Sequence, residues 1–283
     1  MNVGSPSNQP GPAGIGEAEP PSPTPLLEAK DYAALSVFRP ENLLRAARRQ
    51  KRLSPGDVPE TCLLDPDGDV VRYLRHVGRA RLSPNWACYH TELYEAEHEG
   101  VCFGVIGCAV GAPFAVLVAE QLFASGCHLL VSITSSGQVA PPEPASRFIL
   151  IDRALRDEGT SHHYLPPATF AEADPLLADA VMDALVESTL GVRRGATWTT
   201  DAPFRETEAA LAAARTHGTL AVEMEAAALY AFAQARGRPV LCFARVTNQL
   251  ALGEGDFDKG EAEGALDALE ILAATKRAWS LHR

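Results

Sequence analysis

Along this chain, short apolar runs that end in small or hydroxyl-bearing residues alternate with segments whose apolar positions recur every three to four residues. The runs "ETCLLDPDGD", "VCFGVIGCAVG", "CHLLVSITSSG", "SRFILIDRAL", "RRGATWTTD" and "RPVLCFARVTNQ" predict strands that lead into loops. The helical period predicts helices over "VVRYLRHVG", "APFAVLVAEQLFASG", "DPLLADAVMDALVES", "RETEAALAAARTHG", "AVEMEAAALYAFAQARG" and "GEAEGALDALEILAATKRAW". A further helix is predicted within "RPENLLRAARRQKRL", where Pro40 suits a first turn and Leu43, Leu44 and Ala47 mark one apolar face. Such alternation predicts an α/β fold, with a mixed or parallel sheet covered by helices on both faces. In sheets of this kind, sites collect in loops at the carboxyl ends of strands. No internal repeat is visible.

The N-terminus breaks the pattern. Residues 1–28 are dominated by Pro, Gly and Ser and read as a disordered tail, leaving 29–283 as one domain. Beyond it, the 46% hydrophobic and 22% charged content is an ordinary globular balance. The net charge of -11 argues against a nucleic-acid backbone or an anionic membrane as partner. The basic cluster Arg45, Arg48, Arg49, Lys51 and Arg52 coats a solvated face or touches a neighbouring subunit. Six scattered cysteines without a CxxC pair read as buried free thiols in a reducing compartment. With no 18-residue apolar run and no basic-then-apolar leader, the expectation is a cytoplasmic protein.

Four strand ends invite chemistry: "DPDGD", "GCAVGAP", "SITSSG" and "RVTNQLA". The first and third carry glycine, small hydroxyls and nearby helix starts, the ingredients of an anion cradle, although each is also ordinary turn chemistry. Dinucleotide, Walker and GxSxG signatures are absent. Nothing resembles HExxH, and His162 and His163 are adjacent, pointing to opposite sides of a strand, so neither a metal nor a cofactor is expected. "LAVEMEAAALY" opens an alanine-rich helix with two acids that do not share a face. Locally they read as an acidic pair that suits a helix N-terminus.

In order, these pieces read G-D-x-x-R, G-x-x-G-x-P, T-S-S-G, "TSHHYLPP", "TTDAPF", "VEMEAAALY" and "VTNQLA". The series resembles the nucleoside phosphorylase superfamily, closest to its uridine phosphorylase and hexameric purine nucleoside phosphorylase branch, over roughly residues 55–275. The resemblance implies a three-layer α/β fold with a central mixed, barrel-like sheet flanked by helices. It implies a homodimer or homohexamer, and cleavage of the N-glycosidic bond of a purine or uridine-type nucleoside. It implies that Glu225 grips the ribose 2′- and 3′-hydroxyls, with Met224 against the sugar, Glu223 alongside, and His90 reaching a neighbour's sugar pocket. Such cleavage develops positive charge on the ribosyl ring, which a carboxylate stabilises in a dry site. Glu225 is therefore implied as catalytic.

Elsewhere the chain departs from the pattern. The phosphate glycine and arginine fall on Gly68 and Arg72 with one inserted residue, or on Pro66 and Val70 without it. A second phosphate arginine is replaced by Ser132, ahead of Ser135 and Ser136, and Thr91 follows His90 where relatives have the subunit-crossing arginine. Each such contact is worth about 1.5–3 kcal/mol. Losing two weakens phosphate by roughly two to four powers of ten unless Arg79, Arg81 or the N-terminal helix substitutes. The usual base-protonating aspartate is Asn248, an amide that is no general acid but can hydrogen-bond a base edge or, as the second implied catalytic residue, stabilise a leaving group that needs no proton. Arg245 lies three residues before it and takes no role by resemblance. Phe204 is the candidate to stack on the base, against plain core packing, with Arg205 and Glu206 as edge readers. His163 or Tyr164 closes the site or serves structurally. The expected activity is phosphorolysis, with phosphate as co-substrate, or hydrolysis. The alternative is a catalytically quiet nucleoside-binding or storage protein.

Overall fold

The computed structural model describes residues 24–28, 30–140, 147–186, 188–248 and 261–281, with the side chains of Asn248, Glu261 and Glu263 outside the description. Most of the proline-rich tail, residues 1–23, also lies outside the described residues. Thr24 to Leu27 form a turn closed by the Leu27 N–H on the Thr24 carbonyl at 2.9 Å.

All six predicted strands are present: β1 (Thr61–Asp65), β4 (Val101–Gly107), β5 (Leu129–Gln138), β6 (Phe148–Asp157), β8 (Val192–Thr200) and β10 (Val240–Asn248). Four more complete the sheet: β2 (Ala80–Leu82), β3 (Tyr94–His98), β7 (Phe170–Glu172) and β9 (Thr219–Glu223). Their brevity, and the charges in the β3 stretch "YEAEH", hide them from a hydrophobic pattern. Strand β5 pairs with β10, β10 with β6, β6 with β8, β8 with β9, and β9 returns to β5, which closes a five-stranded barrel of mixed sense. On the flank of β5 that also carries β9, toward the strand's start, strands β1, β4, β3 and β2 extend the sheet as a wing.

The helices cover this sheet: α1 (Pro40–Lys51), α2 (Asp69–His76), α3 (Ala112–Ala124), α4 (Pro175–Leu185), α5 (Glu208–Thr216), α6 (Ala226–Arg236) and α7 (Ala265–Leu281). Local chemistry sets their ends. Asp174 accepts the Leu176 and Leu177 N–H groups and Pro175 opens α4, while Thr207 caps α5 through the Ala210 N–H. Gly237 ends α6 in the left-handed region at φ 60°.

Helix α6 is buried from Ala226 to Phe232, and its alanines let it lie close to the sheet. Its anchor is Tyr230, which donates to the Ile151 carbonyl of β6 at 2.5 Å and accepts the Cys242 N–H of β10 at 3.0 Å. The structure corrects the expectation that "VEME" opens this helix. Glu223 ends strand β9, and the helix begins only at Ala226. It likewise moves His162 and His163 from a strand into a short 3-10 turn, Thr160–His163. Four cysteines are buried, but Cys102 and Cys108 are exposed. Among the described residues, no helix is long and apolar enough to cross a membrane.

Candidate active site

The turn between β9 and α6 brings its two acids into different surroundings. One oxygen of Glu223 accepts the hydroxyls of Thr197 at 3.1 Å and Thr199 at 2.5 Å. The other accepts the backbone N–H groups of Glu225 and Ala226, each at 2.7 Å. Thr199 in turn accepts the Ala227 N–H at 3.0 Å. Glu223 therefore caps α6 from within, with four donors spent on its carboxylate. Burial raises its pKa, and those donors hold it down. With all four contacts spent on the turn, it acts as a positioning group for Glu225.

Glu225 is equally buried, at 2% exposure, but is incompletely satisfied. Its Oε1 accepts the Gly111 N–H at 2.7 Å. Its Oε2 accepts nothing from the described residues. Burial, reinforced by the Glu223 charge, lifts its pKa to about 8, against the pull of the Gly111 N–H and the Thr134 hydroxyl. Gly111 sits at φ 89°, a conformation that suits glycine and turns its N–H toward the acid just before α3 begins. Met224, between the two acids, is half-buried.

A second constellation forms where β1 and β5 end. Asp65 accepts the Gly68 N–H at 3.1 Å and the Val71 N–H at 3.0 Å, so its carboxylate caps α2. Burial above all lifts its pKa to about 7, the Val71 N–H opposing and Asp69 and Asp67 adding to it. Gly68 is at φ 77°, and a Cβ there would stand 2.7 Å from the Cys108 sulfur. Its amide, a predicted phosphate donor, is already committed to Asp65. Arg72, its predicted partner, donates to the Asp67 carbonyl at 2.9 Å and pairs with Asp69.

Across the gap, Ser135 donates both its N–H and its hydroxyl to Asp67, each at 2.8 Å. Ser136 turns away and donates to the Arg245 carbonyl at 2.9 Å. Ser132 lies inside the sheet, in register with Leu64 and Cys242, and its hydroxyl has no partner among the described residues. The Arg245 guanidinium lies over the Phe148 ring at 5.6 Å and borders the same recess as Asp65, Asp67 and Ser135.

The remaining predicted residues are dispersed. His90 is exposed and meets the Phe114 ring edge-on at 6.5 Å, three residues beyond Gly111. Thr91 accepts the Trp86 indole N–H at 3.0 Å. Arg79 and Arg81 are engaged on the β2–β3 hairpin, with the Glu97 carbonyl and the Glu95 carboxylate. Phe204 is 99% exposed, and Arg205 beside it is exposed too. Glu206 is half-buried, and that burial raises its pKa. Tyr164 donates to Glu120 at 3.0 Å, nine residues along α3 from Gly111, hence about 13 Å down the helix axis. His163 and Tyr164 border a cavity of about 610 Å³ with Leu35, Phe38 and Arg238, apart from Glu225. The side chain of Asn248 lies outside the described residues.

Of the residues singled out from the sequence, Glu225 and Met224 lie in the turn between β9 and α6, Gly68 after β1 and Ser135 near the end of β5. The structure adds Asp65, Asp67 and Gly111 to their surroundings, and the sequence signal for these was the cluster of acids in "DPDGD" and the glycine loop "GCAVGAP". Among the described residues, no group of His, Cys, Asp and Glu could hold a metal ion.

The chain has relatives. The sequence profile of the phosphorylase superfamily matches residues 66–277. A uridine phosphorylase of Thermococcus kodakarensis is 29% identical over 266 aligned residues, covering 80% of this chain and 89% of that protein. A DeoD-type purine nucleoside phosphorylase of Hahella chejuensis is 28% identical over 206 residues, covering 71% and 86%. In three dimensions, a purine nucleoside phosphorylase of Toxoplasma gondii, solved with immucillin-H, superposes with a TM-score of 0.65 at 17% identity, covering 79% of this chain and 93% of that one. A uridine phosphorylase of Vibrio fischeri gives 0.62 at 20% identity, covering 82% and 93%.

Proposed function

Because the chain belongs to the phosphorylase superfamily, we propose that it cleaves the N-glycosidic bond of a purine or uridine-type nucleoside at the Glu225 site. The observation that carries this reading is the Glu225 carboxylate. It is buried at the junction of β9 and α6, fixed by Gly111 on one oxygen, and without a described partner on the other. A buried acceptor held this way suits paired sugar hydroxyls, which supply the hydrogen bonds that the protein withholds. As the C1′–N bond breaks, charge growing on the ring meets a carboxylate in a dry setting, where electrostatic stabilisation is strongest. Met224 packs against the sugar, and Glu223 holds the turn.

The base is read by Asn248 at the end of β10 and by the turn carrying Phe204, Arg205 and Glu206. An aromatic ring as exposed as Phe204 suits a surface completed by a base or by a neighbouring chain. We accordingly read the active form as a homodimer or homohexamer, with His90 serving a neighbour's site. Free cysteines fit a reducing, cytoplasmic setting.

The test is a panel of nucleosides incubated with the purified chain, with and without phosphate, and assayed for free base and sugar product. Release of base by the native chain and its loss in Glu225→Ala support the reading. No release from any nucleoside, or full activity in Glu225→Ala, overturns it.

A further inference from the structure

We propose that the cavity between α1, α3 and the end of α6 binds a small aromatic carboxylate whose ring carries an N–H or O–H donor. The cavity holds about 610 Å³, inside the roughly 300–1,000 Å³ typical of small-molecule sites. Neither Glu223 nor Glu225 lines it, so it stands apart from the proposed sugar position. Three features of its wall specify the ligand.

The first is an apolar slot. Val116, Leu117 and Phe123 supply one wall from α3, and Leu35 and Phe38 supply apolar surface from the segment before α1. Phe38 is 71% exposed and Leu35 74%. A flat ring lodged here takes that surface out of water.

The second is charge. Arg238 follows α6 and lies over the Phe123 ring at 5.3 Å, and no carboxylate among the described residues pairs with it. Arg236 gives its Nε to Glu120 at 3.4 Å, and its terminal nitrogens find no acceptor among the described residues. Glu120 also accepts the Tyr164 hydroxyl at 3.0 Å, so that acid is already shared. Glu41, the other acid on the wall, sits in the first turn of α1, where it suits the helix dipole. Arg39 lines the wall too, so three guanidinium groups face two carboxylates and leave one positive charge in excess. A planar fork beside an aromatic face suits a carboxylate.

The third is an orphan acceptor. Gln121 lines the same cavity at 1% exposure. Its amide nitrogen donates to the Leu117 carbonyl at 3.1 Å, and its Oε1 accepts nothing from the described residues. A buried carbonyl left in this state costs free energy that a donor on the ligand recovers. A hydrocarbon would leave Arg238 and Gln121 unanswered, and an inorganic anion would leave Phe38 and Leu35 wet. A donor-bearing aromatic acid satisfies all three.

Indole-3-acetate has every part, whereas indole-3-acetamide lacks the charge and naphthalene-1-acetate lacks the N–H. Each is titrated calorimetrically into the full chain, a measurement that needs no turnover. The native protein should bind indole-3-acetate roughly tenfold more tightly than either analogue, as one charge-assisted contact or one satisfied buried carbonyl provides. Arg238→Gln, at an exposed position, should keep the native thermal midpoint and erase only the preference for acetate over acetamide. Gln121→Leu removes an unsatisfied group and should erase only the preference for indole over naphthalene. Leu117→Trp fills the slot and should abolish binding of all three. Preferences that survive Arg238→Gln and Gln121→Leu overturn the proposal, as does a native chain that takes up no indole-3-acetate at millimolar concentration. Affinity that fades as protein concentration rises also overturns it, because a second copy of the chain is then the occupant.

Discussion

The carboxylate of Glu223 accepts the backbone N–H of Glu225 at 2.7 Å, so one acid of the pair holds the other in its place. Glu223→Ala would strand the Thr197 and Thr199 hydroxyls and two N–H groups in a dry interior. Breaking a buried charged network of this kind costs about 3–5 kcal/mol. Urea unfolding should show the midpoint falling accordingly. An unchanged midpoint would refute the capping role.

Glu225→Gln keeps the shape and the Gly111 contact but cannot ionise. We expect kcat/KM to fall by roughly 10²–10³, as when one transition-state contact is removed. Because the native acid is already costly to ionise, the fold should not suffer. A variant that melts far below the native protein would show Glu225 to be structural instead.

The raised acids also give stability a pH dependence. In the folded chain burial lifts Glu225 to about 8 and Asp65 to about 7, from ordinary values of 4.5 and 3.8. Between the unfolded and folded values the native state binds more protons, so these groups destabilise the fold as pH rises from about 4 to about 8. Below that window their contribution is fully present. Above it the loss is complete. Unfolding midpoints of the native chain and Glu225→Gln across this range should diverge, with the variant showing the shallower fall.

Tyr230 offers a control remote from the sugar position. Its hydroxyl ties α6 to β6 and β10 at once. Tyr230→Phe should cost about 1–3 kcal/mol, because the buried Cys242 N–H loses its acceptor. The folded fraction should keep its turnover. A selective loss of activity at unchanged stability would contradict this.

Ser132 marks where a phosphate arginine would stand by resemblance, yet its hydroxyl is buried between β1 and β10 without a described partner. Ser132→Ala removes an unsatisfied group and should leave stability within about 1 kcal/mol or improve it. Its turnover should match the native chain. A tenfold loss would restore Ser132 to the site.

Much of this was legible beforehand, and the reason differs by element. Strands such as "CHLLVSITSSG" announce themselves because both faces are buried, and "VEMEAAALY" carried Glu225 as a motif. Strand β9 was hidden because its last residue, Glu223, is an acid whose partners come from β8, far away in sequence. Asp67 was hidden for a related reason: "DPDGD" reads as a turn until Ser135, 68 residues later, is brought against it. Exposure was the other blind spot. Phe204 reads as core or stacking from its type alone, while its 99% exposure depends on where the turn comes to rest.

Strand β5 has one flank on β1 and β9 and the other on β10, which is made roughly a hundred residues later. During synthesis at about 5–20 residues per second, the β10-facing flank therefore stays open for on the order of ten seconds. Throughout that interval the nascent chain presents an apolar strand edge able to pair with another copy of itself. Cellular yield should accordingly respond to translation speed and to chaperone supply more than the finished protein's stability would suggest.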